Sequence, residues 1–145
     1  MEHSEHGGRL QWFVSMTPKP QQRHRHTRCG RTYDPCKELK SEFLKRSFAL
    51  CPVTGVDAGP MQIFLVFYFA RPKSHYKKNK HELTKRAPPF HVSRPDVDNC
   101  SKLVMDALNG TYYRDDSQIC ELHAKKSYCE PGDEGVSVLI QKILV

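Results

Sequence analysis

The chain has 145 residues, of which 38% are hydrophobic and 27% charged, so its length and composition suit one folded domain and argue against global disorder. Its formal net charge of +7 favours a polyanionic partner such as nucleic acid, although lysines on an ordinary protein surface would give the same value. No stretch reaches the roughly 20 apolar residues of a membrane helix, and the N-terminus has no hydrophobic segment typical of a secretion signal. We therefore expect an intracellular protein with no membrane partner.

The first half of the chain is predicted to contain one strand and one helix. Residues 1–9 are polar and His-rich and are expected to form a disordered tail. The aromatic and β-branched content of residues 10–14 predicts a strand, and residues 17–32, with two prolines and a glycine, predict a loop. Asp34 is predicted to be the N-cap of a helix over 35–49. The stripe at helical spacing on this helix is Leu39, Phe43, Leu44, Ser47 and Phe48.

The middle of the chain combines an apolar strand with a long basic segment. Residues 61–71 (MQIFLVFYFAR) are apolar on both faces, which predicts a central strand covered on each side. Residues 72–93 are basic and show no periodic pattern. A structureless loop of this length inside a domain is usually functional or mobile.

The last third is predicted to hold a second helix and two strands. Residues 96–109 predict a helix that ends at the Asn-Gly pair 109–110. Its buried stripe would consist of Val97, Cys100, Leu103, Val104, Ala107 and Leu108. After a turn, residues 118–128 predict a strand with Cys120, Leu122 and Ala124 on one face, and residues 136–144 a closing strand able to pair antiparallel with it. Together the elements predict an α+β protein, a small mixed β-sheet of about four strands packed with two main helices, in a single domain over 10–145.

The six cysteines form no CxxC pair, and we interpret them as reduced thiols, with Cys100 and Cys120 at positions expected to be buried. A zinc-binding nucleic-acid protein is an alternative. It would use His24, His26, Cys29 and Cys36, but the spacing HxHxxCx6C matches no common zinc arrangement.

Charge is unevenly distributed along the sequence. Residues 19–46 and 71–94 are rich in lysine and arginine, whereas residues 96–134 are mainly acidic. A metal-dependent nuclease needs a basic surface to hold phosphates and an acidic focus to hold cations. The cations that we consider candidates for DNA binding are Lys19, Arg23, Arg25, Lys73, Lys77 and Lys78.

The acidic focus begins with Asp96 and Asp98, which are two residues apart. If both lie in an extended entry to the helix, which Pro95 favours, their side chains point the same way. Two adjacent carboxylates repel each other, and a magnesium or manganese ion between them would relieve that repulsion. Asp115 and Asp116 follow in a turn that could bring a third carboxylate. Taken alone, Asp96 or Asp98 could simply be the N-cap of the helix. Taken alone, Asp115 and Asp116 could simply lie in a solvated turn.

Two further residues of the same helix complete the candidate site. Lys102 lies one helical turn after Asp98 on the same face, where it can neutralise charge on a phosphodiester. Asp106 is one turn further on and is a supporting residue, either holding Lys102 or supporting the metal shell. Lys102 alone would be interpreted as a surface lysine.

Residues 94–119, RPDVDNCSKLVMDALNGTYYRDDSQI, resemble the signature of the RusA family of Holliday junction resolvases. That signature contains Lys/Arg-Pro-Asp-x-Asp-Asn, a lysine, Asp-Ala-Leu and Asp-Asp-x-Gln-Ile, in this order and spacing. Residues 18–25 (PKPQQRHR) resemble the proline- and basic-rich opening of the family more loosely. Two departures are Cys100, where an aliphatic residue is usual, and a basic loop over 72–93 that is longer than expected.

The resemblance implies a RusA-like homodimer that binds branched DNA and makes paired nicks across a four-way junction. It implies dependence on Mg2+, with Mn2+ as a substitute, and no small-molecule cofactor. Asp96, Asp98 and Asp116 match the catalytic and metal-binding carboxylates, Asp115 is a further candidate ligand, and Lys102 matches the catalytic lysine. A branched-DNA-binding module without catalysis, and a nuclease acting on flaps or forks, stay open as alternatives.

Overall fold

The computed structural model describes residues 8–55 and 57–144. The strands are β1 (Arg9–Ser15), β2 (Arg25–His26), β3 (Thr32–Tyr33), β4 (Met61–Ala70), β5 (Ile119–Cys129) and β6 (Gly135–Lys142), and the α-helices are α1 (Lys37–Leu50) and α2 (Val97–Leu108). Short 3-10 turns lie at Lys73–His75 and Asp116–Gln118. None of the helices in this part of the chain has the length and apolar character needed to cross a membrane.

The main sheet has the strand order β1-β6-β4-β5. β4 pairs parallel with β5 and antiparallel with β6, and β6 pairs antiparallel with β1. Two helices pack with this mixed sheet, and the predicted α+β class is confirmed. The prediction that the closing strand pairs with the strand before it is wrong, because β4 lies between them. β4 is the most apolar strand and is paired along both edges, whereas the charged β5 suits the sheet edge.

The core lies between the helices and one face of the sheet. Alternate residues of β4 from Met61 to Phe69 are buried, and those between them are only partly buried. The prediction of a central strand is confirmed, but the second face of β4 is covered only in part. On α2 the predicted stripe is confirmed at Cys100, Leu103, Val104, Ala107 and Leu108, which are all buried.

The position of β5 at the edge of the sheet explains why the predicted burial of Cys120 is wrong. Leu122 aligns with Ile63 of β4, yet it is 46% exposed, and Cys120 is also exposed. Only Ala124 of that predicted trio packs against the core. In the described part of the chain β5 is an edge strand that pairs with β4 alone, so alternation overestimated its burial. All six cysteines are unpaired in the structure.

The start of α1 differs in detail from the prediction. Cys36 is the N-cap, and the Asp34 carboxylate accepts hydrogen bonds from the Cys36 amide at 2.9 Å and from Lys40 Nζ at 2.7 Å. Asp34 thus organises the residues before the helix rather than capping it. Phe48, placed on the apolar stripe, is 45% exposed. Of the predicted tail, residues 1–7 lie outside the described residues, and Arg9 begins β1.

One buried polar contact fastens α1 to the sheet. Trp12 Nε1 donates to Ser47 Oγ at 2.9 Å, and both residues are buried. Ser47→Ala would leave the indole N–H without this acceptor, so we expect the free energy of unfolding to fall by about 1–3 kcal/mol. Urea denaturation measures this change, with the exposed Ser41→Ala on the same helix as control, for which a change within about 0.5 kcal/mol is expected. Equal effects of the two substitutions would contradict the assigned role of Ser47.

Part of the basic segment 72–93 is folded. The Lys77 amide donates to the Glu82 carbonyl at 2.8 Å and the Thr84 amide to the His75 carbonyl at 2.9 Å, around an antiparallel bridge between Tyr76 and Leu83. We call residues 75–84 the basic hairpin. The prediction of a structureless loop is wrong here, because the hairpin is too short and too polar to give a strand pattern.

Candidate functional site

The first part of the candidate site is the N-terminal end of α2. Asp96 occupies the N-cap position with extended backbone (φ −74°, ψ 143°), but its side chain makes no capping hydrogen bond. Asp98 lies in the first helical turn, so the extended alternation proposed for the two residues does not apply. Both carboxylates are exposed. They are therefore available to a ligand, and we call Asp96 and Asp98 the N-terminal pair.

Two contacts position the entry to α2. Lys126 Nζ on β5 donates to the carbonyls of Ser93 at 2.7 Å and Pro95 at 2.9 Å. The Gln21 amide donates to the Asn99 carbonyl at 2.9 Å, which brings the loop containing Lys19 and Arg23 against the first turn of α2. Sequence reasoning missed the role of Lys126, because a lysine in a strand gives no signal of its partner.

Cys100 is buried near the start of α2, where its amide donates to the Asp96 carbonyl at 3.1 Å. Burial raises the pKa of its thiol to about 11; the charge of Lys126 opposes this shift, and the carboxylates of Asp96 and Asp98 add to it. The thiol is therefore neutral at physiological pH. It acts as a small apolar side chain in the core, consistent with its replacing an aliphatic residue of the family pattern.

The second acidic group lies at the other end of α2. Asn109 Nδ2 donates to Asp115 Oδ1 at 3.4 Å, and the Ser117 amide donates to Asp115 Oδ2 at 3.3 Å. Hydrogen bonding by the Ser117 side chain, followed by that from Asn109 and from the Ser117 amide, holds the pKa of Asp115 below its usual value. Asp115 thus caps the 3-10 turn that begins with Asp116, whose side chain is left partly exposed.

Gln118 fixes this turn to the rest of the chain. Its Oε1 accepts from the amides of Arg114 at 2.7 Å and Asp115 at 3.0 Å, and its Nε2 donates to the carbonyls of Asp57 at 2.7 Å and Gly59 at 2.9 Å. One side-chain amide therefore joins two loops and sets the position of Asp116. Gln118 is the glutamine of the Asp-Asp-x-Gln-Ile motif. The motif therefore contained a signal for this residue, but the sequence alone gave it no function.

The buried Tyr113 indicates which acids lie at this end. Its hydroxyl donates to the Met105 carbonyl at 2.5 Å. Burial raises its pKa, and the carboxylates of Asp116, Asp106 and Asp115 raise it further. We call these three aspartates the C-terminal group. Asp96 and Asp98 instead act on Cys100, near the start of the helix.

The two acidic groups lie towards opposite ends of α2. A helix of 12 residues at about 1.5 Å per residue is roughly 18 Å long. Within residues 8–55 and 57–144, no three His, Cys, Asp or Glu side chains are grouped closely enough to hold a metal ion. One chain therefore does not bring Asp116 to the N-terminal pair. The same finding applies to the zinc alternative, whose four residues form no such group.

Asp106 pairs with Lys40 of α1 and not with Lys102, the partner considered from the sequence. Lys40 Nζ on α1 lies 2.7 Å from Asp34 Oδ2 and 3.4 Å from Asp106 Oδ2, and the lysine side chain is only 17% exposed. Burial disfavours the charge of Lys40, but its hydrogen bond to Asp34 and the charge of Asp106 keep its pKa raised. Asp106 therefore joins α2 to α1, while Lys102 is exposed.

The Asp34–Lys40 contact predicts a pH dependence of stability. The hydrogen bond from Lys40, aided by the Cys36 amide, lowers the pKa of Asp34 below 3.8, although burial opposes the shift. A lowered folded-state pKa stabilises the protein above the unfolded-state pKa, and this contribution is lost as pH falls through the folded value. Asp34→Asn should reduce the free energy of unfolding by about 1–2 kcal/mol at pH 7. The deficit should shrink as pH falls from about 5 towards 3.

Urea denaturation across this pH range measures the effect. Glu42→Gln is the control, since Glu42 pairs with Arg46 in an exposed contact at 3.0 Å and its loss should change stability by no more than about 0.5 kcal/mol. A deficit of Asp34→Asn that is constant with pH would contradict the assigned ionic contact.

The candidate DNA-binding cations lie on two surfaces. Lys19, Arg23 and Arg25 are exposed on the loop held against α2. The other three are also exposed, Lys73 in a 3-10 turn and Lys77 and Lys78 in the basic hairpin, where Lys77 pairs with Glu82 at 3.1 Å. Both surfaces are open to solvent, as phosphate contact requires.

The N-terminal pair fits a hard divalent cation in its donor chemistry. Magnesium is commonly held by one or two carboxylates together with water and substrate phosphates. Asp96 and Asp98 supply two exposed carboxylates, and the Asp96 side chain is not engaged as a cap. A metal at this end of α2 is therefore compatible with the residues present.

Comparison with known proteins agrees with these features. A family model described as endodeoxyribonuclease RusA matches residues 15–141. The chain is 36% identical over 110 residues to a Bacillus subtilis (strain 168) protein named "Uncharacterized protein YqaN", an alignment that covers 72% of this chain and 75% of that protein. The matched family is a class of DNA-cleaving hydrolases. The chain belongs to the RusA endodeoxyribonuclease family, as the sequence resemblance predicted.

Membership of this family has several consequences. It implies endonuclease activity, and it suggests resolution of Holliday junctions. Proteins of the family bind branched DNA and generally depend on a divalent metal. An enzyme of this kind works inside the cell, with DNA.

Proposed function

We propose that the protein is a structure-specific endonuclease that resolves four-way junctions in recombination and repair, by paired, magnesium-dependent hydrolysis of phosphodiester bonds. The observation that carries the proposal is the exposed row along α2. Asp96 and Asp98 leave their carboxylates open to solvent, and Lys102 follows one turn later. A branched-DNA-binding module without catalysis would have no use for uncommitted carboxylates at this position.

In the proposed reaction Asp96 and Asp98 hold Mg2+, for which Mn2+ can substitute. A bound divalent ion supplies positive charge at the phosphate and a lower pKa for an attacking water. Lys102 places its ammonium beside the same phosphate and stabilises the negative charge that develops there. Lys19, Arg23 and Arg25 bind phosphates of the DNA arms on the neighbouring loop.

We further infer that the active unit is a homodimer in which each site is composite. Asp116 lies with Asp106 towards the C-terminal end of α2, and Asp106 comes eight residues after Asp98, about 12 Å along the helix axis. A second copy related by twofold symmetry can present its own Asp116 to Asp96 and Asp98 of the first. The symmetry then gives two equivalent sites, which accounts for paired nicks in opposite strands.

A cleavage assay tests this function. Purified protein is mixed with a labelled synthetic four-way junction or a linear duplex of matched sequence, with magnesium or with chelator. We expect magnesium-dependent paired nicking of the junction and no cutting of the duplex. Activity in chelator would overturn the metal requirement, and equal cutting of the duplex would overturn the substrate assignment.

A further inference from the structure

A concave basic surface lies apart from the acidic residues of α2. A cavity of about 510 Å³ opens between the basic hairpin and the turn that follows β5. Its charged lining residues are Arg71, Lys73, Lys77, Lys78, Lys80 and Glu130. Lys77 is paired with Glu82, so four further cations face one carboxylate, and this excess of positive charge suits an anion.

The Arg71 side chain and the backbone of the basic hairpin are held in place. The Arg71 guanidinium lies 4.5 Å from the centroid of the Tyr128 ring and donates to the Pro88 carbonyl at 2.8 Å. The tip of the hairpin is closed by Lys80 with φ +62° and by Asn79 Oδ1, which accepts from the His81 amide at 3.1 Å. A wall built in this way loses little conformational freedom when a ligand binds.

The size and shape of the cavity determine which part of a nucleic acid can enter it. A double helix presents a broad, convex surface that cannot enter a hollow of about 510 Å³, whereas one nucleotide out of the base stack can. Tyr76 and Pro131 also line the cavity and supply an aromatic and an apolar wall. Aromatic side chains beside cations are the usual means of binding unpaired nucleotides without sequence preference.

The cavity also lies at the appropriate end of the sheet. β4 and β5 are parallel, so the residues that follow them, Arg71 and Glu130, meet at one sheet edge. The entry to α2 is tied to the same end of β5 through the bond from Lys126 to the Pro95 carbonyl. An occupant of the cavity would therefore lie on the same side of the molecule as the N-terminal pair.

We propose that this cavity binds a single unpaired nucleotide of the DNA substrate, its phosphate among the cations and its base against Tyr76. The inference rests on the proposed function and refines its substrate, because it favours a four-way junction in which a nucleotide at the branch point is unpaired. It extends beyond the candidate contacts Lys73, Lys77 and Lys78 by adding Arg71, Lys80 and Tyr76 as parts of one site.

Binding to a fluorescent five-residue oligothymidylate, measured by anisotropy in chelator, tests the inference without cleavage. We expect Lys73→Ala/Lys78→Ala to weaken oligonucleotide binding about tenfold or more, and Tyr76→Leu about fivefold. The matched control is Lys45→Ala/Lys125→Ala, which removes the same charge from exposed positions on α1 and β5 and should change affinity less than about twofold. Tyr76→Leu should leave the affinity for linear duplex unchanged.

The other outcomes separate the two proposals. Equal losses for the cavity variant and its control, or equal losses of oligonucleotide and duplex affinity in Tyr76→Leu, would overturn the cavity as a nucleotide site. Wild-type protein that binds the four-way junction but not the oligonucleotide would overturn this inference and leave the proposed function standing. Wild-type protein that binds no DNA would overturn both.

Discussion

Asp98→Asn is expected to reduce magnesium-dependent nicking of a four-way junction by about 10²-fold or more, with junction affinity within about twofold of the wild type. The substitution keeps the shape of the side chain and removes the charge that would hold the cation. Asp98 is exposed in the first turn of α2, so the fold should not depend on its carboxylate. Junction affinity comes mainly from lysine and arginine contacts with phosphates, which the substitution leaves in place.

The measurement pairs single-turnover cleavage with a gel-shift assay in chelator. Asp133→Asn is the control, because Asp133 is an exposed acid of the turn after β5 and is not among the residues that line the cavity. It should cleave at the wild-type rate. Full activity of Asp98→Asn, or the same loss in Asp133→Asn, would remove Asp98 from the proposed chemistry.

The sequence was sufficient to predict the parts of the fold that depend on local pattern. α2 combines an apolar stripe at helical spacing with an Asn-Gly stop, and its limits and buried face are close to those predicted. β1 and β4 are short runs rich in apolar, aromatic and β-branched residues, and they too lie where expected. Each of these signals is contained within about a dozen residues.

The errors concern properties set by distant residues. The pairing of β6 with β4 and β1 depends on which strands compete for the centre of the sheet. The sequence of β6 alone does not determine which strands become its neighbours. The basic hairpin is held by main-chain hydrogen bonds that any residues can make. Asp106 pairs with Lys40 of another helix, a partner 66 positions away in sequence, although Lys102 was the nearer cation along the chain.

In the candidate site, too, the sequence predicted local features but not which distant residues lie close together. The types of residue and their order in the chain were clear from the motif, but spacing along the chain did not give spacing in space. The turn carrying Asp116 is fastened at the C-terminal end of α2 by Asn109, Asp115 and Gln118. The turn therefore does not fold back to Asp96 and Asp98, and a composite site in a dimer follows as the arrangement to test.

Heterodimers of defined composition test that arrangement directly. Chains with two different tags are co-expressed, and mixed dimers are isolated by two successive purifications. In a dimer of Asp98→Asn with Asp116→Asn, a composite arrangement leaves one site with both native residues and places both substitutions in the other. We expect about half the wild-type nicking per dimer and nicked junctions instead of paired cuts. If each site used residues of one chain, this dimer would be inactive.

The reciprocal dimer makes the result decisive. It combines a wild-type chain with a chain that carries both Asp98→Asn and Asp116→Asn. In the composite arrangement each site then has one defect, so nicking should fall by about 10²-fold or more. Sites confined to single chains would instead leave one intact site and about half the activity. Because the two dimers contain the same substitutions, differences in folding or DNA binding cannot produce opposite outcomes, and activity in the second dimer alone would overturn the composite site.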